Sequence, residues 1–485
     1  MSTFHPGRIA AALVAIGGIA APVSAQETLR VPQDFATIQA AVDAAENGDT
    51  IQISKGEYPE YVEITGFSGL TLLGKGKPAL LGTGVITDGE ELESGGLSIS
   101  GCDNVPVKGL VARDTVDANG FAVFSSSNVT LQLCRVEQPV SDDGIGIFSS
   151  SDVTIDRCRV EGTPLGPVDG GEPVGGINIS SSTGVSVLKA KIQDVSDDGI
   201  HVASSGDVLI QKCKLQRIGD DGIHGSSGGT GGLITVDRCK LKDIGQDGIE
   251  TSGGMTDLHV IKTRIQLTGD DGVNASGRAA TLEKVSVTDA DGNAFKFSPI
   301  AGPVDGGGID GPILVTNCRA AKIDDDGLDL DANGAVVENL KLKQIEDDGV
   351  RVADCDGVSI TKVRMSKVDG KGMQIFGVED SDFLDFRMAK PNDGVYVDFA
   401  STGNLFQDWK ITAPDGEGFD LDGPSNTFID NKVSKAGGYG FSVITGGNTF
   451  TGNKATGSGN ADLQDTAGKG ANTYTDNTFG TSEGP

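Results

Sequence analysis

Apolar and polar positions alternate along this chain in short runs with a period of two, and each run stops at a turn. Ile200-His201-Val202 and Val208-Leu209-Ile210 are two such runs, after which Cys213, Leu215 and Ile218 follow at apolar intervals. Alternation of this kind between glycine- and aspartate-rich turns predicts strands whose first and third residues face a core. The set then returns. An Asp-Asp-Gly-Ile/Val signature recurs in steps that are mostly 22 to 24 residues, with its glycine, or the small residue replacing it, at Gly120, Gly144, Gly176, Gly199, Gly222, Gly248, Gly272, Ala294, Gly327, Gly349, Gly372, Gly394, Gly418 and Gly440. Two steps are stretched by insertions at 162–173 and 298–312.

Self-similarity at this period means a solenoid. No unit carries a helix-length apolar pattern, which rules out leucine-rich, ankyrin and tetratricopeptide arrays, and the period is too long for the nine-residue calcium-binding roll. The predicted fold is all-β: a single parallel β-helix with one coil per unit. The chain has 72 glycines, 5% aromatic and 37% hydrophobic residues. That suits a thin, elongated core of stacked small aliphatics, and because the apolar residues are periodic the chain reads as folded rather than disordered.

The ends differ from the middle. After Val31-Pro32, Ile38, Ala41, Val42 and Ala45 share one helical face of 34–46 with Asp34 placed to cap it, so a short amphipathic helix is expected to close the first coil within 28–50. Asp-Gly coils fill 95–400. From Asn404 the unit becomes Asn-Thr-Phe-x-x-Asn, at 426–431, 448–453 and 472–477, which predicts asparagine ladders and stacked phenylalanines over 404–480. Trp409 falls in the slot of Asn431 and is read as core rather than as a sugar platform.

Residues 1–25 stand apart. Arg8, the apolar run 9–21 and the small-residue site Val23-Ser24-Ala25 read as a secretory signal, so the mature chain is expected at 26–485 in a secreted or periplasmic location. No later segment approaches a membrane span. Without Arg8 the chain has 38 basic and 69 acidic residues, a net charge near −31. This balance argues against nucleic acid as a partner and favours cation binding. A monomer is expected. Cys134, Cys158, Cys213, Cys239 and Cys318 share one slot and are predicted to stack inward. Their spacing, roughly 4.8 Å, lies near the disulfide range, yet buried free thiols are the preferred reading.

The opening VPQDFATIQAAVDAAENGDTIQISKGEYPEYVEI, followed by GLTLLGKG, resembles the start of right-handed parallel β-helix proteins of the pectin-lyase-like superfamily, and SDDGIHVASSGDVLIQKCKL and SNTFIDNKV are similar to that family's coils. The resemblance covers nearly all of 28–480 and implies a right-handed helix. It implies no single activity, because the superfamily holds lyases, hydrolases, esterases, uronate epimerases, copper-maturation accessory proteins and adhesins. The lyase Arg-x-Pro-x-x-Arg and epimerase Asp-Pro-His-Asp elements are absent. Of the polygalacturonase set only Gly219-Asp220-Asp221, run directly into Ile223-His224-Gly225, is present.

The faces are therefore read physically. In the strand after each turn the second residue points outward and stacks coil upon coil. The middle of that row reads Asn178, His201, His224, Glu250, Asn274, Lys296, Asp329, Arg351. Two of the three histidines of the mature chain are adjacent in it. His201, His224 and Glu250 suit a metal site or proton transfer near neutral pH. Lys296, Asp329 and Arg351 suit an acidic sugar: Arg351 for its carboxylate, Lys296 as base and Asp329 as orienting group. Asn178, Glu250, Asn274 and Asp329 are substrate-binding candidates; His201, His224, Lys296 and Arg351 are catalytic ones. A solvated strand face with mutually offsetting charges is the bland alternative.

The insertions share Gly-Pro-Val-Asp-Gly-Gly, and with the glycine loop 226–232 they are expected to wall a groove from Asn178 to Lys296. Asp198, Asp221, Asp247 and Asp271 precede the turn glycines. They suit either backbone N–H acceptance beside a glycine at positive φ or Ca²⁺ held between coils. Arg157/Arg159, Lys189/Lys191, Lys212/Lys214 and Arg238/Lys240 flank the cysteine slot, so one of each pair should form a basic stripe. The sequence thus points to an exported β-helix that acts on or binds acidic polysaccharide, as a polyuronate lyase or epimerase. The alternatives are a non-catalytic binding or structural β-helix and a copper-accessory protein; five unclustered methionines weigh against the last.

Overall fold

The computed structural model describes residues 26–484 except 82–95, 116–118, 140–141, 163–173, 227–231, 254–256 and 299–311. The signal segment and nearly all of the insertions and the glycine loop lie outside the described residues. What is described is a right-handed parallel β-helix with one short helix.

Each coil contributes three strands, because each repeat has three alternating runs separated by turns too tight for a helix. The first, such as Val208–Gln211, joins a 19-stranded parallel sheet. The second, such as Lys214–Ile218, and the third, such as Ile223–Ser226, join a 34-stranded sheet. That sheet is two stacks, and they merge where Arg364–Phe376 and Arg387–Val397 run unbroken from one to the other. Register is set by the repeat, so like faces like: Ile177, Ile200, Ile223, Ile249 and Val273 are successive partners and all are buried.

The turn glycines serve a different purpose from the one expected. Gly199 and Gly222 are not among the residues at positive φ. A Cβ on Gly199 would lie 2.6 Å from the carbonyl oxygen of Gly222 and from the Leu215 side chain, and one on Gly222 would lie 2.4 Å from the oxygen of Gly248. Close coil packing excludes the side chain. At the bend just before the cysteine slot positive φ falls on non-glycine residues, among them Lys189, Lys212, Arg238 and Lys262. The five slot cysteines are buried free thiols, as are Cys102 and Cys355.

The N-terminal helix is Ile38–Ala44, shorter than 34–46, and its N-cap is Thr37, whose Oγ1 accepts the Ala40 N–H. Asp34 turns back to accept the Arg30 N–H at 3.0 Å, and Glu60 takes those of Ile38 and Gln39. At the other end Phe406, Phe428 and Phe450 stack at 4.8 and 4.9 Å. Asn431 Oδ1 accepts the Trp409 N–H, and the Asn431 N–H donates to Asn453 Oδ1. Trp409 is buried against Phe386 at 4.0 Å, a core residue.

Candidate functional site

Strand pairing confirms the outward row in order. Asn178 partners His201, His201 partners His224, and Glu250, Asn274, Lys296, Asp329 and Arg351 follow one strand at a time. All eight are half-buried between buried neighbours, as period-two alternation requires.

The aspartates before the glycines form the floor beside this row. Asp198, Asp221, Asp247 and Asp271 are buried, and each Oδ1 accepts the backbone N–H of its counterpart one coil on, at 3.2, 2.8, 2.7 and 2.6 Å. This is the turn role. The second oxygen serves the row. Asp143 Oδ2 accepts from Asn178 at 2.9 Å, Asp198 Oδ2 lies 3.1 Å from His224 Nδ1, Asp247 Oδ2 accepts from Asn274 at 2.9 Å, and Asp271 Oδ2 is 3.2 Å from Lys296 Nζ. Asp221 faces Glu250 instead of a donor, with His224 within 3.9 Å of the one and 3.4 Å of the other.

Between Asp143 and Asp271 the ladder has one gap, at Gly175, where the residue before the turn glycine is not an aspartate. Consequently His201, the row residue one coil on, lacks the carboxylate that its neighbour possesses. The two rings stack at 4.9 Å and 18° but titrate apart. The hydrogen bond to Asp198 pushes His224 up to about 9, overriding its burial, while burial and then the charge of His224 hold His201 below the ordinary histidine value. Near neutral pH the pair is therefore one free base beside one imidazolium. Burial, with Asp198, Asp247 and Glu250 nearby, pushes Asp221 up to about 8, and burial also pushes Asp247 up to about 7.

Opposed shifts in adjacent groups suit acid–base chemistry. They suit copper or zinc less well. An ion bonded at about 2.0–2.1 Å lies in the plane of each imidazole that holds it, and near-parallel stacked rings share no plane. Three all-oxygen groups, Asp197 with Asp198 and Asp220, Asp247 with Asp270 and Asp271, and Asp325 with Asp326 and Asp347, each with ligand atoms within 4.8 Å of one another, have chemistry that fits Ca²⁺.

The remaining candidates are separate from the histidines. Lys296 lies three strands beyond His224, about 14 Å along the axis. Burial lowers its ammonium but the Asp271 carboxylate more than offsets this, leaving its pKa raised. A lysine held protonated is a cation rather than a base. Arg351 is paired with Asp329 at 2.6 Å.

Sequence reasoning missed the serines. His201 Nε2 is 2.9 Å from Ser226 Oγ, and His224 Nε2 is 3.3 Å from Ser252 Oγ, each one coil on. Both serines stand two residues after the row position on the same strand face, and period two alone would have placed them there.

No curated protein sequence matches the chain. Among solved structures it is similar to an alginate lyase from Paenibacillus sp. str. FPU-7, at 15% identity over 53% of this chain and 95% of that one with a TM-score of 0.42. It is similar to the A-module of a mannuronan C-5 epimerase from Azotobacter vinelandii, at 13% identity over 85% and 96% with a TM-score of 0.33. A surface adhesin of Streptococcus pneumoniae matches at 15% over 78% and 94% with a TM-score of 0.35. Likenesses this distant carry no activity across. A family profile described as right handed beta helix region matches 95–265, 175–303 and 326–479, most of the coils described above. The chain belongs to this family of right-handed β-helix proteins.

Proposed function

We propose that this protein acts on polysaccharide by proton transfer at the His201–His224 pair, and that its substrate is a polyuronate handled by lyase or C-5 epimerase chemistry. One observation carries the reading: two stacked imidazoles pushed in opposite directions, His201 down and His224 up to about 9. In a uronate the hydrogen at C-5 is acidified by the adjacent carboxylate. His201 accepts that proton and the electron pair passes into the carboxylate, with the His224 imidazolium as the nearest cation. The pair then forms the C-4–C-5 double bond as the bond from C-4 to its oxygen breaks, the leaving oxygen taking the His224 proton and leaving an unsaturated end, or a water molecule on the opposite face returns a proton to C-5 and inverts it. Glu250 and Ser252 fix the His224 ring, and Ser226 fixes His201. Asn178, Asn274, Asp329 and the cations Lys296 and Arg351 lie where flanking sugars would run. Because the floor is acidic, Asp247, Asp270 and Asp271 would hold Ca²⁺, whose charge would offset the floor's repulsion of an anionic substrate. Export as a monomer, directed by 1–25, completes the proposal.

The test is incubation of the mature protein with polygalacturonate and alginate, with and without Ca²⁺, read by ultraviolet absorbance of unsaturated ends and by NMR of C-5 configuration. His201→Ala and His224→Ala should each lower turnover by about 100-fold or more. Full turnover in both variants overturns the site. Binding without either product means a non-catalytic glycan-binding β-helix.

A further inference from the structure

A second charged feature lies on the strand before each Asp-Gly turn. Lys191, Lys214, Lys240 and Arg264 are strand partners in consecutive coils. Two residues earlier in the same coils, Lys189, Lys212, Arg238 and Lys262 make a parallel column, so both members of each pair point outward rather than one. Eight cations are thereby gathered over about 14 Å of the long axis. Like charges directly opposite one another on neighbouring strands are unfavourable. Among the described residues, only Arg238 of the eight has a carboxylate in ion-pair reach, Asp237 at 2.5 Å.

The fold neutralises parts of this column elsewhere. Arg135 and Arg159, in earlier coils, are held by Glu137 and Glu161, and Arg364 and Arg387, in later ones, by Asp385, whereas their column neighbours Lys341 and Lys410 stand as single cations beside those pairs. From Lys191 to Arg264 the acidic partners are missing. Burial first, and then the neighbouring cations Arg159, Arg217 and Lys214, hold the Lys191 ammonium below its ordinary value, with Glu161 offsetting only part of this. The outer column adds an independent sign. Lys189, Lys212, Arg238 and Lys262 all have φ between 50° and 57°, a conformation that favours glycine or asparagine. Four long cations hold a position that backbone preference would give to other residues.

We infer that these two columns form a docking track for a linear anionic polysaccharide lying along the solenoid axis. The cations repeat once per coil, about 4.8 Å, a rise comparable to that of successive rings in an extended glycan. Salt screens charges beyond about 10 Å, so a slender polymer seated on the columns meets their field before that of the acidic remainder. A duplex nucleic acid spreads a denser charge over a wider body and meets the acidic faces. The occupant's identity as an acidic glycan rests on the proposed function; the track adds a face outside the histidine row.

The experiment is fluorescence anisotropy of labelled polygalacturonate and chondroitin sulfate with the mature full chain, from about 50 to about 200 mM salt. Neutral dextran and a single-stranded oligonucleotide are run alongside. Wild type should bind an anionic glycan with affinity that falls as salt rises. The variant K191Q/K214Q/K240Q/R264Q should bind about tenfold more weakly and lose most of the salt dependence, with its unfolding midpoint unchanged or raised. Polygalacturonate binding alone specifies uronates, and binding of both glycans specifies anionic glycans generally. Unchanged affinity in the variant, or oligonucleotide or dextran bound as tightly as either glycan, overturns the track. Should the quadruple variant fail to fold, K240E alone should weaken binding several-fold, and unchanged affinity there overturns it equally. Binding is read without turnover, so absence of enzymatic activity leaves this result interpretable.

Discussion

Glu250 stands opposite Asp221 at the row position where Asn178, His224, Asn274 and Lys296 supply a proton donor to Asp143, Asp198, Asp247 and Asp271. An acceptor meets an acceptor, and Glu250 thereby adds to burial and to the charges of Asp198 and Asp247 in holding the Asp221 proton up to about 8. Glu250→Gln restores a donor. Its amide should lower the Asp221 pKa and raise stability above pH 8 by about 1 kcal/mol, discounted for partial exposure, with no gain in acid where Asp221 is protonated in either protein. Urea unfolding on both sides of that pH checks it. An equal change at both would mean that the substitution acts through packing.

Asp198→Asn tests what separates the two histidines. The side-chain oxygen can still accept the Asp221 N–H, which keeps the ladder, but the charge facing His224 Nδ1 at 3.1 Å is gone. The His224 pKa should fall from about 9 by about one to two units, and that of His201 should fall further below the ordinary value, because the Asp198 charge opposes the effect of its burial. Proton NMR titration of the imidazole resonances reads both shifts directly. Two unshifted curves would show that Asp198 does not control the pair.

The carboxylate ladder fixes how stability responds to pH. Asp143, Asp221, Asp247 and Asp326 are pushed up to about 6, 8, 7 and 8, burial being the first cause in each. A folded-state pKa above the unfolded value gives stability that is fully present below the unfolded pKa and lost as pH rises through the folded one. His224, also raised, acts in the same direction, its contribution fading as pH climbs through about 9. Asp194 and Asp237, depressed by Arg217 and Arg238, work oppositely: their contribution is lost as pH falls through their lowered values. The melting temperature should therefore peak in mild acid and decline steadily from pH 6 to pH 9. A plateau across that interval would contradict the buried-carboxylate assignment, unless added Ca²⁺ is needed to produce it.

Much of this was legible before any coordinates, and the reason is the repeat. A constant coil length makes position in sequence equivalent to position in the stack, so the adjacency of His201 and His224 followed directly. What failed depended on relations that the period does not encode. The capping residue of the first helix moved from Asp34 to Thr37 because Asp34 was taken by the Arg30 N–H. The turn glycines were assigned to backbone conformation, whereas the cause is a carbonyl in the next coil. The opposite titration of the two histidines arises from Gly175, a missing aspartate that reads as a minor irregularity until the ladder's second oxygens are seen to serve the following coil.

The aromatic end of the solenoid should be the least tolerant of truncation. Trp409 is 1% exposed, lies flat on Phe386 at 4.0 Å and donates its indole N–H to the Phe383 carbonyl at 2.7 Å. Trp409→Ala removes the stack and orphans that carbonyl, at a cost of about 3–5 kcal/mol. Equilibrium denaturation should show this loss together with increased proteolysis after residue 400. A loss below about 1 kcal/mol would mean that the site collapses around the smaller side chain.

Gly222→Ala tests whether coil spacing, rather than turn geometry, selects glycine. The backbone there is not left-handed, so a turn argument alone predicts neutral or slightly stabilising behaviour. The packing argument predicts the reverse. A Cβ at this position meets the Gly248 carbonyl oxygen at 2.4 Å and Leu241 Cδ2 at 2.7 Å, and the oxygen belongs to a backbone that is itself paired to the coil beyond. Leu241 can rotate aside; the carbonyl cannot without displacing the next coil. The expected loss is about 1–3 kcal/mol, read by denaturant unfolding. Because His224 is two residues along the same strand, the strain should reach the His201 stack and shift both imidazole titrations. A variant as stable as wild type, with those titrations unmoved, would return the glycines to a conformational role.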